Sequence, residues 1–177
     1  MIELLTAHTA ELDGTTLDEA RALLFTVFGD EMTEGDWEHA LGGVHAMVRE
    51  GGVLIGHAAV VQRRLLHGGR SLRAAYVEGV AVRADRQGRR HGAALMDAVE
   101  RVIRGAYDLG ALGSSEEAVG FYARRGWQRW RGPLAAMTPR GMTPTRDEEG
   151  WVFVLPGAAP LDLAGLLTCD WRDGDLW

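Results

Sequence analysis

Residues 80–95 read VAVRADRQGRRHGAAL, and they are the most informative segment of the sequence. Small apolar residues end a β-strand, a turn rich in arginine and glycine follows, and small apolar residues then begin a helix. Backbone N–H groups at the start of that helix are unhindered at Gly88 and Gly92, and the helix dipole favours an anion there. Four arginines concentrate positive charge on this segment: Arg83, Arg86, Arg89 and Arg90. The segment therefore predicts a pyrophosphate-binding site.

A solvated basic loop is the alternative interpretation of these arginines. However, each cation near a helix N-terminus opposes the helix dipole by roughly a few tenths of a kcal/mol. The net charge of the whole chain is −6, so the cluster is a local exception in an acidic protein. A bound anion accounts for the cluster better than solvation does.

The residues before this segment predict an antiparallel meander. Three β-rich runs cover 44–50, 53–66 and 70–83, and they are separated by the glycine pairs 51–52 and 68–69. Paired glycines between such runs are hairpin signals. The third run is longer than an ordinary strand and contains Gly79, which predicts a β-bulge within it.

The remaining pattern alternates helices and strands. Apolar residues recur at helical spacing from Ala94 to Ile103. The other predicted elements are a first strand at the N-terminus, a helix with a capping box at Thr16 that ends near Gly29, a helix from Thr33 to Leu41, a strand at 109–113, a helix capped within 114–117 that ends near Gly126, strands at 127–131 and 151–155, a polar loop at 138–150 and a tail without regular pattern. The class is α+β, and residues 1–177 are expected to form a single domain.

Composition limits the chemistry and the partners. All 19 basic residues are arginine, so no lysine is present to form a Schiff base. The negative charge favours a cationic partner over a nucleic acid. No apolar stretch is long enough for a membrane span, and the N-terminus has no basic region typical of a signal peptide. Cys169 is the single cysteine, and a small residue without a chemical role is favoured over an acetyl carrier there. We expect a cytoplasmic protein without a metal.

Residues 87–92 (QGRRHG) resemble the Q/R-x-x-G-x-G/A signature of the GNAT acetyltransferases, although Arg90 replaces the usual glycine. Further blocks resemble one branch of that superfamily, the aminoglycoside 2′-N-acetyltransferases. They are residues 36–39 (DWEH), 41–43 (LGG), 76–83 (YVEGVAVR), 104–107 (RGAY), 169–172 (CDWR), 174–175 (GD) and Trp177. The resemblance runs from near residue 28 to the end of the sequence.

The resemblance implies a GNAT fold: a mixed, mostly antiparallel sheet with a bulged fourth strand, flanked by helices. It also implies direct transfer of acetyl from acetyl-CoA to the 2′-amino group of an aminoglycoside in a ternary complex, which confers antibiotic resistance. The residues that would bind the coenzyme are Val80, Ala81, Val82, Gln87, Gly88, Arg89, Arg90, His91 and Gly92. The family further suggests a homodimer.

Two side chains are candidate catalysts. Glu78 stands at the predicted bulge, where a carboxylate can accept a proton from an amine. From the sequence alone an exposed strand glutamate is equally compatible, and the resemblance favours the general base. A backbone N–H near Val80 would stabilise the oxyanion. Tyr122 packed beside Phe121 fits a half-buried core residue, but the resemblance assigns it as the general acid that protonates the departing thiolate.

For the substrate, the resemblance implies contacts from Asp30, Asp36, Glu78, Gly79, Glu148, Asp175 and the terminal carboxylate of Trp177. Gly113 stands where these enzymes tend to have a serine, which leaves Ser114 as the nearest hydroxyl. Glu148 replaces a usual aspartate, and Met32 adds a residue between Asp30 and Asp36. These departures concern the preferred antibiotic rather than the reaction.

Two other classes stay open at this point. A GNAT enzyme can acetylate a different amine, such as a polyamine or an amino sugar of the cell wall. A non-catalytic acyl-CoA-binding module is the second class, and the presence of both Glu78 and Tyr122 speaks against it. A nucleic-acid-binding role is the weakest, since the basic cluster is confined to one turn.

Overall fold

The computed structural model describes all residues, 1–177, and the chain folds as two compact units. The first comprises Met1–Val61 and Val77–Val102, and the second comprises Gln62–Tyr76 and Ile103–Trp177. The third and fourth strands each begin in one unit and end in the other.

The first unit contains the N-terminal helices and the meander. Its elements are β1 (Ile2–His8), α1 (Gly14–Phe28), α2 (Glu34–His39), β2 (Val44–Glu50), the first part of β3 (Val53–His67), the last part of β4 (Arg70–Val82) and most of α3 (His91–Ala106). β1 pairs antiparallel with β2, and β2 pairs antiparallel with β3. The predicted meander is therefore confirmed, with strand ends within one residue of the expected positions.

Caps fix where the first two helices begin. Asp13, rather than Thr16, caps α1, and its carboxylate accepts a hydrogen bond from the Thr16 N–H at 2.7 Å. The predicted capping box at Thr16 was therefore wrong. The helix begins three residues earlier than predicted, and the Thr16 backbone N–H is the donor that Asp13 caps. Thr33 caps α2 as predicted, with a capping box closed by Asp36. Behind these helices the core includes Leu24, Trp37 and Met47.

The second unit contains the later strands and α4. Its elements are β5 (Leu109–Gly113), α4 (Val119–Arg124), β6 (Gln128–Arg129), β7 (Leu134–Thr138), β8 (Gly141–Pro144), β9 (Val152–Pro156) and β10 (Leu167–Cys169). β5 runs parallel to β4 and antiparallel to β9, while β10 runs parallel to β7 and antiparallel to β3. The strands thus form mixed, mostly antiparallel pairings flanked by helices, as the α+β prediction requires.

Two predictions about this unit were wrong. Part of the expected loop 138–150 is a strand instead. This strand, β8, pairs antiparallel with β7, and the hairpin between them turns before Gly141 (φ +106°). The sequence pattern does not indicate this hairpin, because β7 begins with three consecutive buried apolar residues and so lacks the alternation typical of a strand. The expected strand 127–131 shortens to Gln128–Arg129. No helix of the chain combines the length and apolar character needed to cross a bilayer.

Candidate active site

The end of β4 has an irregular backbone at the position that the sequence predicted. Gly79 adopts φ +57°, a left-handed conformation that interrupts the extended strand. A Cβ at this position would lie only 2.9 Å from Cδ1 of Leu24, so a side chain here would be both strained and crowded. Glu78 and Val80 flank this glycine and are half-buried. The carboxylate and the next backbone N–H are thus set at a break in the strand.

The Gly79 carbonyl accepts a hydrogen bond from a buried histidine. Nδ1 of His57 lies 2.8 Å from this oxygen, and Nε2 of His57 lies 2.9 Å from Nδ1 of His45. Nε2 of His45 in turn lies 2.8 Å from the Thr9 hydroxyl. Both imidazoles are fully buried, and burial lowers the pKa of each to about 4. Sequence reasoning did not identify these residues, although two histidines within apolar strands were a usable signal.

The arginine-rich turn divides into two pairs. Arg83 donates twice to the Asp85 carboxylate, at 3.1 Å each. Arg86 pairs with Glu50 and with Asp85. Arg89 and Arg90 are exposed and form no direct ion pair, although the charge of Arg89 lowers the pKa of the Glu50 carboxyl. The guanidinium groups of this second pair are therefore open to a bound anion.

The turn leads directly into α3 through two residues with left-handed backbone. Gly88 has φ +75°, and Arg90, with φ +67°, is the one non-glycine residue of the chain with positive φ. A side chain costs about 1–2 kcal/mol in this conformation. The strained position is the one where the GNAT signature described above usually has glycine.

Two acidic residues predicted to bind substrate lie in the first unit. Asp30 is exposed within a short 3₁₀ turn, Gly29–Glu31. Oδ2 of Asp36 accepts hydrogen bonds from the backbone N–H and the hydroxyl of Thr33, at 2.8 and 2.7 Å. Asp36 therefore closes the capping box of α2, and these hydrogen bonds fix the direction of its carboxylate.

In the second unit, Tyr122 is nearly fully buried on α4. Its ring packs edge-on against Phe121 and Trp127, with centroids 5.3 and 6.0 Å away. Burial raises the pKa of the phenol to about 12. The side chain therefore keeps its proton throughout the physiological range and is a hydrogen-bond donor.

The C-terminal residues fold back instead of fraying. Trp177 is 5% exposed, and its indole N–H donates to the Thr145 hydroxyl at 2.8 Å. A Cβ on Gly113 would lie 3.8 Å from the main-chain oxygen of Trp177 and 3.8 Å from Oη of Tyr76. The main chain of Trp177 thus faces β5 at the position where the family tends to have serine.

Arg63 on β3 holds the folded tail. Only 4% of its surface is exposed, and Nε donates to Oδ1 of Asp170 at 2.8 Å. Nη1 donates to the Leu176 carbonyl at 2.8 Å, and Nη2 to the Asp170 carbonyl at 3.0 Å. Arg63 was not predicted as a functional residue. A sequence signal exists, because Arg63 alternates with Val61 and Leu65 on the buried face of β3.

Two further predicted substrate residues lie in this unit. Burial raises the pKa of the half-buried Glu148, and the neighbouring charges of Asp175 and Asp147 raise it further. Ser114 is buried, and its hydroxyl donates to the Ser115 carbonyl at 2.9 Å. Glu148 and Asp175 are therefore close enough to repel one another, and a bound cation would relieve that repulsion.

The predicted site residues consequently fall into two groups. The first unit contains the coenzyme candidates from Val80 to Gly92, together with Asp30, Asp36, Glu78 and Gly79. The second unit contains Ser114, Tyr122, Glu148, Asp175 and Trp177. Within the second group, the tail, Glu148 and β5 are brought together.

The family follows from comparison with known proteins. The sequence model described as "Acetyltransferase (GNAT) domain" matches residues 9–130. The chain therefore belongs to the GNAT acetyltransferases. Within them it falls with the aminoglycoside 2′-N-acetyltransferases, because the enzyme of that name from Mycolicibacterium fortuitum is 50% identical over 174 residues. That alignment covers 96% of this chain and 89% of the relative.

Solved structures agree on the fold. Eis1 from Mycobacterium abscessus superposes with a TM-score of 0.63 at 19% identity, over 76% of this chain and 33% of that one. The ribosomal-protein-S18-alanine N-acetyltransferase from Escherichia coli has a TM-score of 0.60 at 16% identity, over 92% and 97% of the two chains. At these identities the likeness establishes the GNAT fold.

Proposed function

We propose that this chain transfers the acetyl group of acetyl-CoA to the 2′-amino group of aminoglycosides, by direct attack in a ternary complex. The observation that carries the proposal is the position of Glu78 beside the left-handed Gly79. The chain is also 50% identical to a protein named aminoglycoside 2′-N-acetyltransferase. We further propose that residues 1–177 act as a single domain, since the family match at 9–130 includes residues of both units. A cytoplasmic location and a homodimer remain predictions.

The proposed coenzyme contacts are the end of β4 (Val80, Ala81 and Val82) and the turn from Gln87 to Gly92. The turn fits a pyrophosphate because Arg89 and Arg90 are exposed and their guanidinium groups are not engaged in direct ion pairs. The space beside Gly88 is open, with no heavy atom within 4 Å of a Cβ placed there. The N–H groups that begin α3 supply the remaining donors.

Glu78 is the proposed general base. It takes a proton from the substrate ammonium group, directly or through water, so that the neutral amine can attack the thioester carbon. The backbone N–H of Val80 donates to the thioester oxygen as negative charge develops there. Each role uses a group at the break in β4.

Tyr122 is the proposed general acid for the departing thiolate. Its raised pKa, about 12, keeps the phenol protonated until the C–S bond breaks. A free thiol has a pKa of about 8.5, so full proton transfer is uphill in this buried setting. We therefore assign Tyr122 chiefly as a hydrogen-bond donor that stabilises the thiolate. The thiolate then takes up a proton when solvent reaches the sulfur.

Carboxylates are the proposed ligands for the aminoglycoside. Asp30, Asp36 and Glu78 lie in the first unit, and Glu148 and Asp175 lie in the second. A charge pair at about 4 Å gains roughly 4 kcal/mol at an effective dielectric of 20, before desolvation is subtracted. The Gly79 backbone in the first unit, and the Ser114 oxygen and the main-chain oxygen of Trp177 in the second, are further proposed contacts.

The test is thiol release from acetyl-CoA across a panel of amines. We expect turnover with aminoglycosides that have a 2′-amino group and none with matched compounds that have a 2′-hydroxyl. The Tyr122→Phe variant should lower kcat while the affinity for acetyl-CoA is kept. Turnover with polyamines or cell-wall amino sugars but not with aminoglycosides would contradict the proposal.

A further inference from the structure

The buried histidines form one hydrogen-bonded series, which we call the histidine chain: Thr9, His45 and His57. A carbonyl oxygen only accepts hydrogen bonds, so Nδ1 of His57 must bear the proton that bonds Gly79. Nε2 of neutral His57 is then an acceptor, and Nδ1 of His45 must donate to it. Nε2 of neutral His45 then accepts from the Thr9 hydroxyl at 2.8 Å, which is a closer partner for that O–H than the Gly43 carbonyl at 3.2 Å. Every proton in the chain is thus directed towards the Gly79 carbonyl.

The outer end of the chain is also fixed. The Thr9 hydroxyl oxygen accepts from the Gly42 N–H at 2.9 Å, and the Thr9 N–H donates to the Gly43 carbonyl at 2.9 Å. Trp37 packs its ring against both imidazoles, with centroids 6.5 and 6.4 Å away. Every nitrogen of the two rings is therefore hydrogen-bonded, and both side chains are shielded from bulk water.

The Gly79 carbonyl and the Val80 N–H belong to one peptide unit. The chain contains no cis peptide bond, and in a planar trans peptide the C=O and N–H bonds point in opposite directions. A donor that fixes the Gly79 oxygen consequently fixes the direction of the Val80 N–H. Gly79 has the widest choice of backbone angles of any residue type, so this orientation requires an external restraint.

Packing alone does not account for the histidine chain. Two apolar side chains would fill the same space without the cost of burying polar atoms. The cost of burying these imidazoles is explained if their hydrogen bonds orient the Gly79 carbonyl. A hydrogen bond at the carbonyl also polarises the peptide and strengthens its N–H as a donor.

We infer that His57, supported by His45 and Thr9, is a positioning residue for acetyl transfer: it orients the Gly79–Val80 peptide so that the Val80 N–H meets the thioester oxygen. The inference rests on the proposed function. It assigns to buried side chains the control of an oxyanion-stabilising backbone group. His57 itself touches neither substrate.

The test compares two substitutions that differ in the donor. Asparagine places its amide nitrogen near the position of Nδ1, so His57→Asn keeps the hydrogen bond to Gly79, whereas His57→Leu removes it. Loss of one oxyanion donor costs about 10²–10³ in kcat, so a misdirected donor should cost about 10–10². We expect that loss in His57→Leu with KM for both substrates nearly unchanged, and kcat within about fivefold of wild type in His57→Asn.

Val48→Ala is the matched control, because Val48 is a buried residue of β2 that lies outside the histidine chain. It should lower thermal stability without the selective loss of kcat. Equal activity of His57→Leu and wild type, or equal losses in both His57 variants, would overturn the inference.

A measurement on the unaltered protein covers the case in which His57→Leu does not fold. Nitrogen-15 NMR of the histidine side chains should find the proton on Nδ1 of both His45 and His57, and a proton on Nε2 of His57 would overturn the inference. A wild-type enzyme that is inactive with every amine would instead overturn the proposed function.

Discussion

The guanidinium of Arg63 on β3 donates a hydrogen bond to the Leu176 carbonyl at 2.8 Å. A side chain from a buried strand thereby sets the path of the C-terminal segment. Asp170 secures the other edge of the guanidinium with its carboxylate and its carbonyl. Tyr76 lies under the same group, with the guanidinium carbon 4.8 Å from the ring centroid. The tail is therefore anchored by three types of contact at one arginine.

Replacing Arg63 with methionine should release the tail. Asp175 and Trp177 would lose their fixed positions, so we expect the aminoglycoside KM to rise by about tenfold or more, equivalent to at least about 1.4 kcal/mol of lost binding. The KM for acetyl-CoA should change little. Initial-rate kinetics with each substrate varied in turn measure both effects.

Arg64→Ala is the control for this substitution. Arg64 is the next residue of β3, and it is exposed. Its kinetics should match those of the wild type. An Arg63→Met enzyme with an unaltered aminoglycoside KM would show that the tail does not bind substrate.

Gly113→Ser should be accepted by the fold and should strengthen aminoglycoside binding. The added Cβ meets only ordinary contacts of 3.8–3.9 Å, and the position is exposed. The new hydroxyl supplies a hydrogen bond worth about 0.5–1.5 kcal/mol, so KM should fall by about two- to tenfold. Gly110→Ser on the same strand is the control, because its Cβ would lie 3.0 Å from both Ile103 and Trp127. That variant should lower the melting temperature, and a rise of KM in Gly113→Ser would contradict the prediction.

The two buried histidines should make the fold sensitive to mild acid. Burial lowers the pKa of His45 and His57 to about 4, from the ordinary 6.5. Between these values the unfolded chain binds more protons than the folded one, so the free energy of unfolding falls as the pH falls. The loss by pH 4 should be about 3 kcal/mol for one histidine.

Urea unfolding at pH 7.0, 6.0 and 5.0 measures this dependence. Carboxyl groups with a lowered pKa, such as Glu50 hydrogen-bonded by Arg86, add their own loss mainly below their ordinary value of 4.5. The double variant His45→Asn, His57→Asn should flatten the curve between pH 7 and 5. A wild-type curve that is already flat there would mean that the histidines are not buried in the neutral form.

The fold was largely predictable because its signals are local. Glycine pairs at 51–52 and 68–69 marked the hairpins, and the glycine within β4 marked the position of its left-handed backbone. The hairpin of β7 and β8 was missed, because its consecutive apolar residues have no strand period. The cap of α1 was misassigned because Asp13 and Thr16 are both good capping residues.

The candidate site could be predicted from the sequence only in part, for a physical reason. Glu78 and the arginine turn lie beside glycines whose backbone requirements show in the sequence. The partners of Arg63 lie more than 100 residues away along the chain, at Asp170 and Leu176. The directed protons of His45 and His57 depend on which atoms face a carbonyl. Neither kind of relationship has a sequence pattern.

Deprotonation of the substrate amine by Glu78 is tested by the pH profile of Glu78→Gln with a 2′-amino aminoglycoside. Loss of a general base should lower kcat by about 10²–10⁴ at neutral pH, and the deficit should shrink at high pH, where the amine is already neutral. Glu148→Gln is the control and should affect KM more than kcat. A Glu78→Gln enzyme as fast as the wild type at neutral pH would contradict the account.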